Sequence, residues 1–328
     1  MWLFFALATT FLWGLAELFY KKGARPHEKY SHLKITIFVG VVMGLHALFT
    51  LLTQDIGYNA INLIKYLPVS LLYIGSMALS YFGMRFVEES ISDPIENTGG
   101  AMCSVLCVLF LGETISWFAA AAIAVIVIGV VGVGFLDNTG DTDRKKKLGK
   151  KLAIVAFCMP FAYALLDALG SFVDVFYLDD FESTPLVGVT EETIEAVANT
   201  SYELTFAFVA LILFIFMKLR GVKFFSDPAE NVGSADAAPA RFGGKLGTIL
   251  DQKDKLLAAI FETAGQFTYV YAISDGNGVV AAPIISSVCV VSLLLSRIFL
   301  KEKLKAKQYV FIGIVIIGIL LLAVAEEL

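Results

Sequence analysis

Apolar residues in this chain gather in unbroken blocks of about 17–25 residues instead of one-sided stripes. A helix rising about 1.5 Å per residue needs roughly 20 of them to cross a hydrocarbon core of about 30 Å. Ten such blocks stand out: Trp2–Tyr20, Ile35–Thr53, Leu67–Phe86, Ser92–Leu111, Trp117–Leu136, Leu152–Phe172, Thr200–Met217, Leu256–Ile273, Val279–Leu300 and Gln308–Ala325. Within lipid each backbone group must find its partner inside the segment, so the blocks predict helices. No run of alternating strands of about ten residues, the mark of a membrane barrel, is present. The predicted fold is all-α: a polytopic membrane protein of about ten helices.

Composition agrees with lipid as the solvent. Hydrophobic residues make up 58% of the 328, charged ones 17%, and the mean hydropathy is +0.77. The net charge of −5 matters less than its placement. Alternate connections collect the Lys and Arg residues on one side of the ten blocks, and of all 25 only Lys65 falls on the other. That other side holds the acidic stretch 179–199 and Glu326–Glu327. The positive-inside rule then predicts a multi-pass protein of the plasma (inner) membrane with both termini outside the cytoplasm. The first block has no basic segment before it and carries Glu17, which predicts a retained helix and not a cleaved signal. Cys103, Cys107, Cys158 and Cys289 all lie in apolar blocks, and three scattered histidines make no metal-ligand spacing. No phosphate-binding glycine loop, nucleophile elbow or metalloprotease pattern occurs, so the expectation is no cofactor, no metal, no nucleic acid and no enzyme.

The chain also resembles itself. Pro94-Ile95 and Phe110-Leu111-Gly112-Glu113 match Pro283-Ile284 and Phe299-Leu300-Lys301-Glu302, with 19 residues from Pro to Glu both times. The offset of 189 continues through Ile123/Ile312, Ile128/Ile317 and Gly129/Gly318. At an offset of 150, Trp13 aligns with Tyr163 and Glu17 with Asp167. Pro94 and Pro283 are expected near the start of their spans, where the missing N–H is harmless. Glu113 and Glu302 are expected to fix tight turns. Five spans is an odd number, so a second copy enters the membrane inverted. The division reads as a first five-helix repeat (1–136), a basic connection (137–151) and a second repeat (152–328). The second repeat carries an external acidic loop (179–199) and a flexible cytoplasmic loop (218–255).

Ten helices in two halves, Leu12-Trp13-Gly14, and the two Phe-Leu-x-Glu turns resemble the drug/metabolite transporter superfamily, in particular its EamA-type members. The resemblance implies a bundle with a central cavity lined by both halves, alternating access, and a small-molecule substrate. It implies cytoplasmic termini as well, and there the charge distribution of this chain points the other way.

Acids inside spans cost roughly 2.5–3.5 kcal/mol at the bilayer centre and mark function by default. Asp167 leads, 15 residues beyond Leu152, on one face with Pro160, Tyr163, Ser171 and Asp174. Glu17 shares a face with Thr10, Trp13 and Tyr20, and Lys21 stands four residues on as a local partner. Glu262, Gln266 and Tyr269 form a third polar stripe. Asn97 and Thr98 match Ser286 and Ser287; they either donate to a substrate or satisfy helix starts. Trp13 and Tyr163 either stack on a ligand or fill space. Asp174 and Glu203 are expected in water at the external ends. The function expected is a transporter or exporter of a small polar or cationic metabolite, with protons as a coupling partner. A facilitator for sugars or nucleotide derivatives is the alternative, and a scaffold or receptor the alternative of another class. Substrate identity and oligomeric state are not legible.

Overall fold

The computed structural model describes residues 1–23, 30–83, 95–136, 150–179, 182–222, 224, 252–274, 277–299 and 306–325, with the side chains of 133–136 and 150–157 left aside. Twelve helices occur among them: α1 (Trp2–Gly23), α2 (Ser31–Thr53), α3 (Ile61–Lys65), α4 (Leu67–Gly83), α5 (Gly99–Leu106, widening into a π-turn at Cys107–Leu111), α6 (Trp117–Leu136), α7 (Lys150–Leu178), α8 (Ile194–Leu219), α9 (Lys253–Ile273), α10 (Gly278–Ile285), α11 (Val288–Phe299) and α12 (Ala306–Ala325). Among the described residues seven helical stretches are long and apolar enough to cross a bilayer, Gly278–Phe299 counted as one of them. Leu67–Gly83, Gly99–Leu111 and Trp117–Gly132 are shorter apolar helices beside them. No strand occurs among the described residues. Large apolar side chains such as Phe49, Leu109, Phe110, Ile212 and Leu320 stand exposed on the outside, a surface that water would not tolerate and acyl chains would.

Helices pack in pairs that join the two ends of the chain: α1 with α9, α4 with α7, α2 with α8, α6 with α12, and α5 with α10. Small residues set the approach, because bilayer helices gain most from close van der Waals contact. A Cβ on Gly44 would stand 2.8 Å from the Cβ of Ala207, and one on Gly40 2.6 Å from that of Ala210. The Gly40-x-x-x-Gly44 spacing therefore marks the α2–α8 seam. In the α6–α12 pair the contacts are reciprocal. Gly129 faces Val315 and Gly318 faces Ile126, with each added Cβ 3.0 Å from the opposing backbone nitrogen. Both pairings exchange under the offset of 189.

The spans read as continuous at Ser92–Leu111 and Val279–Leu300 are in fact interrupted. Helical turns at Ile95–Glu96 and Ile284–Ile285 each give way to two turn residues, Asn97-Thr98 and Ser286-Ser287, before the helix resumes. The local bonds match as well: Thr98 Oγ1 donates to Ile95 O (2.7 Å) and Ser287 Oγ to Ile284 O (2.6 Å). Pro283 lies inside α10 and not at its start, a correction to the sequence reading. Its missing N–H frees the carbonyl four residues back, and Ser104 of α5 donates to that Val279 oxygen at 2.6 Å. Replacing Ser104 by Ala should cost about 0.6–1.7 kcal/mol, the range for interhelical hydrogen bonds in membranes. A thermal melt of the detergent-solubilised protein reads this, and an unchanged midpoint would show that Val279 O has another donor.

Other expectations need correction. Helix α8 begins at Ile194, so the acidic loop is shorter than 179–199, and α7 runs to Leu178. Asp174 and Glu203 are therefore inside helices, both fully buried, not solvated. Glu203 is satisfied by His46, whose Nδ1 lies 2.8 and 2.9 Å from its two carboxylate oxygens. Helix α3 is an element with no counterpart in the hydropathy pattern, being too short to span. At the α5–α6 turn, Gly112 takes the left-handed conformation (φ 76°) that suits glycine, and the Ala119 N–H donates to Ser116 Oγ at 3.1 Å. Glu113 lies in that turn, its carboxyl pushed above the usual range by partial burial and by neighbouring Asp179. Pro94, Glu302, the connection 137–149 and residues 225–251 of the long basic-side loop lie outside the described residues.

Candidate functional site

Each half sends side chains into one cavity of about 140 Å³ at the junction of α1, α4, α5, α7, α8, α9 and α10–α11. Nine of the eleven residues singled out as candidates line it: Trp13, Glu17, Asn97, Tyr163, Asp167, Glu262, Gln266, Tyr269 and Ser286. The other two, Thr98 and Ser287, turn away to bond carbonyls of their own helices. The helix breaks explain the split. Of each two-residue turn, the first residue (Asn97, Ser286) faces the cavity and the second repairs the backbone. Irregular backbone is tolerated at membrane depth where it lines such a space.

Glycines bring the walls together. Gly265 on α9 admits the Trp13 ring, whose Nε1 would be 2.6 Å from an added Cβ. Trp13 then stacks on Tyr269 with ring centroids 5.2 Å apart and donates from Nε1 to Glu262 O at 3.4 Å. Gly99, the first residue of α5, leaves room for Asp167, with Oδ2 2.9 Å from where its Cβ would stand. The carboxylate thus rests beside a helix N-terminus, where the backbone dipole favours negative charge.

Four carboxyl groups border the cavity (Glu17, Glu96, Asp167 and Glu262), and Lys21 is the single cationic side chain among the described residues that line it. Tyr81 OH donates to Tyr20 OH at 2.7 Å, and Tyr20 OH donates to Glu262 Oε2 at 3.2 Å. Ser80 Oγ donates to Glu96 Oε2 at 3.0 Å. The remaining walls are aromatic faces, chiefly Tyr73, Tyr163 and Tyr202. Acid and aromatic surface in a partly desolvated space suits an organic cation, through charge and through cation–π attraction of about 0.5–2 kcal/mol per ring.

Sequence reasoning missed Glu96, Tyr73, Tyr81 and Tyr202. Glu96 had a readable signal, an acid inside an apolar block directly before Asn97. The tyrosines had none, since 12 Tyr and 27 Phe spread through the spans give no way to separate cavity from lipid. No group of three or more His, Cys, Asp or Glu side chains suited to a metal ion occurs among the described residues.

A solved crystal structure superposes on this chain with a TM-score of 0.69 at 10% identity, covering 99% of this chain and 98% of the other, which establishes the fold alone. No curated protein matches by sequence. The model of the EamA-like transporter family matches residues 1–135 and 183–324, most of both halves. Its members are membrane transporters of the drug/metabolite superfamily. This polytopic helical bundle, with a polar cavity lined from both halves of its chain and matched by that model over most of its length, belongs to the EamA-like transporter family.

Proposed function

We propose that this transporter carries a small organic cation, an amine or an amino acid held by its ammonium group, by alternating access. In this reading ten spans form two inverted halves (1–136 and 152–328), and Asp167 and Glu262 exchange the cation for a proton. The observation that carries it is the composition of the cavity, four carboxyl groups against one Lys among the described residues that line it. Phosphate-bearing nucleotide derivatives would meet like charge there and be repelled.

Two observations support the moving parts. Each of α2, α5 and α6 runs antiparallel to the helix of the other half that it packs on: Gly40 and Gly44 meet Ala210 and Ala207, Gly100 and Ser104 meet Ala282 and Val279, and Gly129 and Gly132 meet Val315 and Phe311. The two helix breaks and their hydroxyl bonds coincide at the offset of 189. Discontinuous helices at the junction of inverted repeats are where secondary transporters bind their cargo. The segregated Lys and Arg residues support termini outside the cytoplasm of a plasma (inner) membrane.

Purified protein in liposomes tests this with labelled monoamines, amino acids, neutral sugars and nucleotide sugars. Saturable amine uptake, at least tenfold above protein-free liposomes and raised by an opposing proton gradient, is the expected result. Uptake of sugars or nucleotide sugars with none of amines would overturn the cationic assignment. Binding without flux of any solute would favour a receptor.

A further inference from the structure

Exposure falls steeply along the cavity. Glu17, Lys21, Glu96 and Asp167, toward the C-terminal end of α1, are partly accessible, whereas Tyr73 and Tyr269 at the far end are buried. Beyond them, toward α3, Tyr66 and Asp174 have 1% and 0% of their surface exposed. Among the described residues the cavity is therefore more accessible toward the C-terminal end of α1, where Tyr20, Tyr81 and Glu262 are nevertheless buried, than toward α3.

The seal is a hydrogen-bonded layer. Tyr66 OH donates to Asp174 Oδ1, and Tyr73 OH lies 3.3 Å from Asp174 Oδ2, 3.3 Å from Ser171 Oγ and 2.7 Å from Tyr269 OH. These groups come from the turn between α3 and α4 (Tyr66) and from α4, α7 and α9, so the layer joins the two halves. A second layer covers it. Asn62 exchanges two bonds with the backbone of Val187 (2.9 and 2.8 Å), Lys65 Nζ donates to Pro185 O at 2.7 Å, and Tyr177 OH donates to Lys65 O at 2.8 Å. The acidic loop thus straps α3 down over the inner layer.

We propose that Tyr66, Tyr73, Asp174 and Tyr269 form the gate that closes the cavity on the α3 side, and that this structure is the conformer open on the opposite, basic side. The inference rests on the transporter reading above. Asp174 is suited to a seal that must also release. It is a buried carboxyl held by neutral phenols, and no cationic side chain among the described residues bonds it. Burying such a group costs several kcal/mol, and its phenol bonds repay only part of that. Water entering on opening would resolvate it, which lowers the cost of breaking the layer. Gly170 admits the Tyr73 ring, whose Cδ1 would be 3.0 Å from an added Cβ. Any side chain there would pin the ring.

A thiol reporter tests the gate without needing the substrate. Met77 lines the cavity one turn beneath Tyr73, and Met77→Cys is made in a chain whose exposed Cys158 is replaced by Ser. A membrane-impermeant methanethiosulfonate is applied to right-side-out and to inverted sealed vesicles. With the gate intact, labelling is expected from the basic side only. Tyr66→Phe and Asp174→Asn are each expected to raise the rate from the α3 side at least tenfold, leaving the basic-side rate unchanged as the sign of an intact fold. Tyr73→Phe, which removes one hydroxyl, gives the same reading if Asp174→Asn does not insert. Equal labelling from both sides in the parent overturns the proposal, as does an α3-side rate that none of the variants moves. A failure of amine uptake beside a shifted labelling rate would reject the cargo and leave the gate standing.

Discussion

Replacing Asp167 by Asn is expected to lower cation flux by roughly thirtyfold or more while leaving the protein folded. Asp167 borders the cavity on α7, at the position that aligns with Glu17 of α1 at the offset of 150. Losing one partner of a desolvated charge pair costs about 2–5 kcal/mol, and every 1.4 kcal/mol is a factor of ten in affinity. The amide keeps the carboxylate's shape, so Gly99 still accommodates it. The fold should not suffer, because a carboxylate within a span is itself expensive to hold in a bilayer. Substrate-induced thermal stabilisation should shrink in parallel with flux, through the loss of ligand linkage. Full flux and full ligand stabilisation in Asp167→Asn would remove Asp167 from the transport path.

The second large effect concerns assembly. Gly100→Ala should destabilise the bundle and Gly100→Val should largely prevent its recovery as a monodisperse species. A Cβ on Gly100 would stand 2.7 Å from the carbonyl carbon of Ala282, with Ser286 Oγ closer still. The Gly100 N–H also donates to Ser286 Oγ at 3.0 Å, a bond that the forced separation would break. Neither neighbour can yield cheaply, since Ala282 offers backbone and Ser286 sits at the helix break. Overpacking of a tight site costs about 1–3 kcal/mol for a small group, and more for a branched one. Gly313 provides the control: an added Cβ there meets nothing within 4 Å, so Gly313→Ala should be neutral or slightly stabilising. Size-exclusion profiles and melting midpoints of the three variants decide the matter. Equal midpoints for Gly100→Ala and Gly313→Ala would mean that the α5–α10 crossing has slack.

Some failures of sequence reasoning were informative because their cause is physical. Asp174 and Glu203 sat near the predicted ends of their spans, and hydropathy treats an acid there as the point where the chain meets water. The helices instead run on, and the acids are stabilised by Tyr66, Tyr73 and His46, partners 101 to 157 residues away in sequence. Ser104 looked like any small residue in an apolar block, yet it answers the carbonyl freed by Pro283. The matching pairs Asn97-Thr98 and Ser286-Ser287 were visible, but that each breaks its helix was not, and which member would face the cavity depended on rotation about each helix axis.

What the sequence determined by itself was the solvent and the repeat. Burial in lipid is additive over a block of residues, so blocks of apolar composition are legible one at a time, and an offset of 189 needs only the letters. It also marked most acids of the cavity, because a charge inside such a block is conspicuous wherever the helix points. Tertiary structure alone decided which aromatics leave the lipid face, how glycines let helices approach, and that Tyr66 and Asp174 close one end of the path. Those outcomes depend on contacts between helices distant in sequence, and hydropathy, which scores each span alone, carries no record of its neighbours.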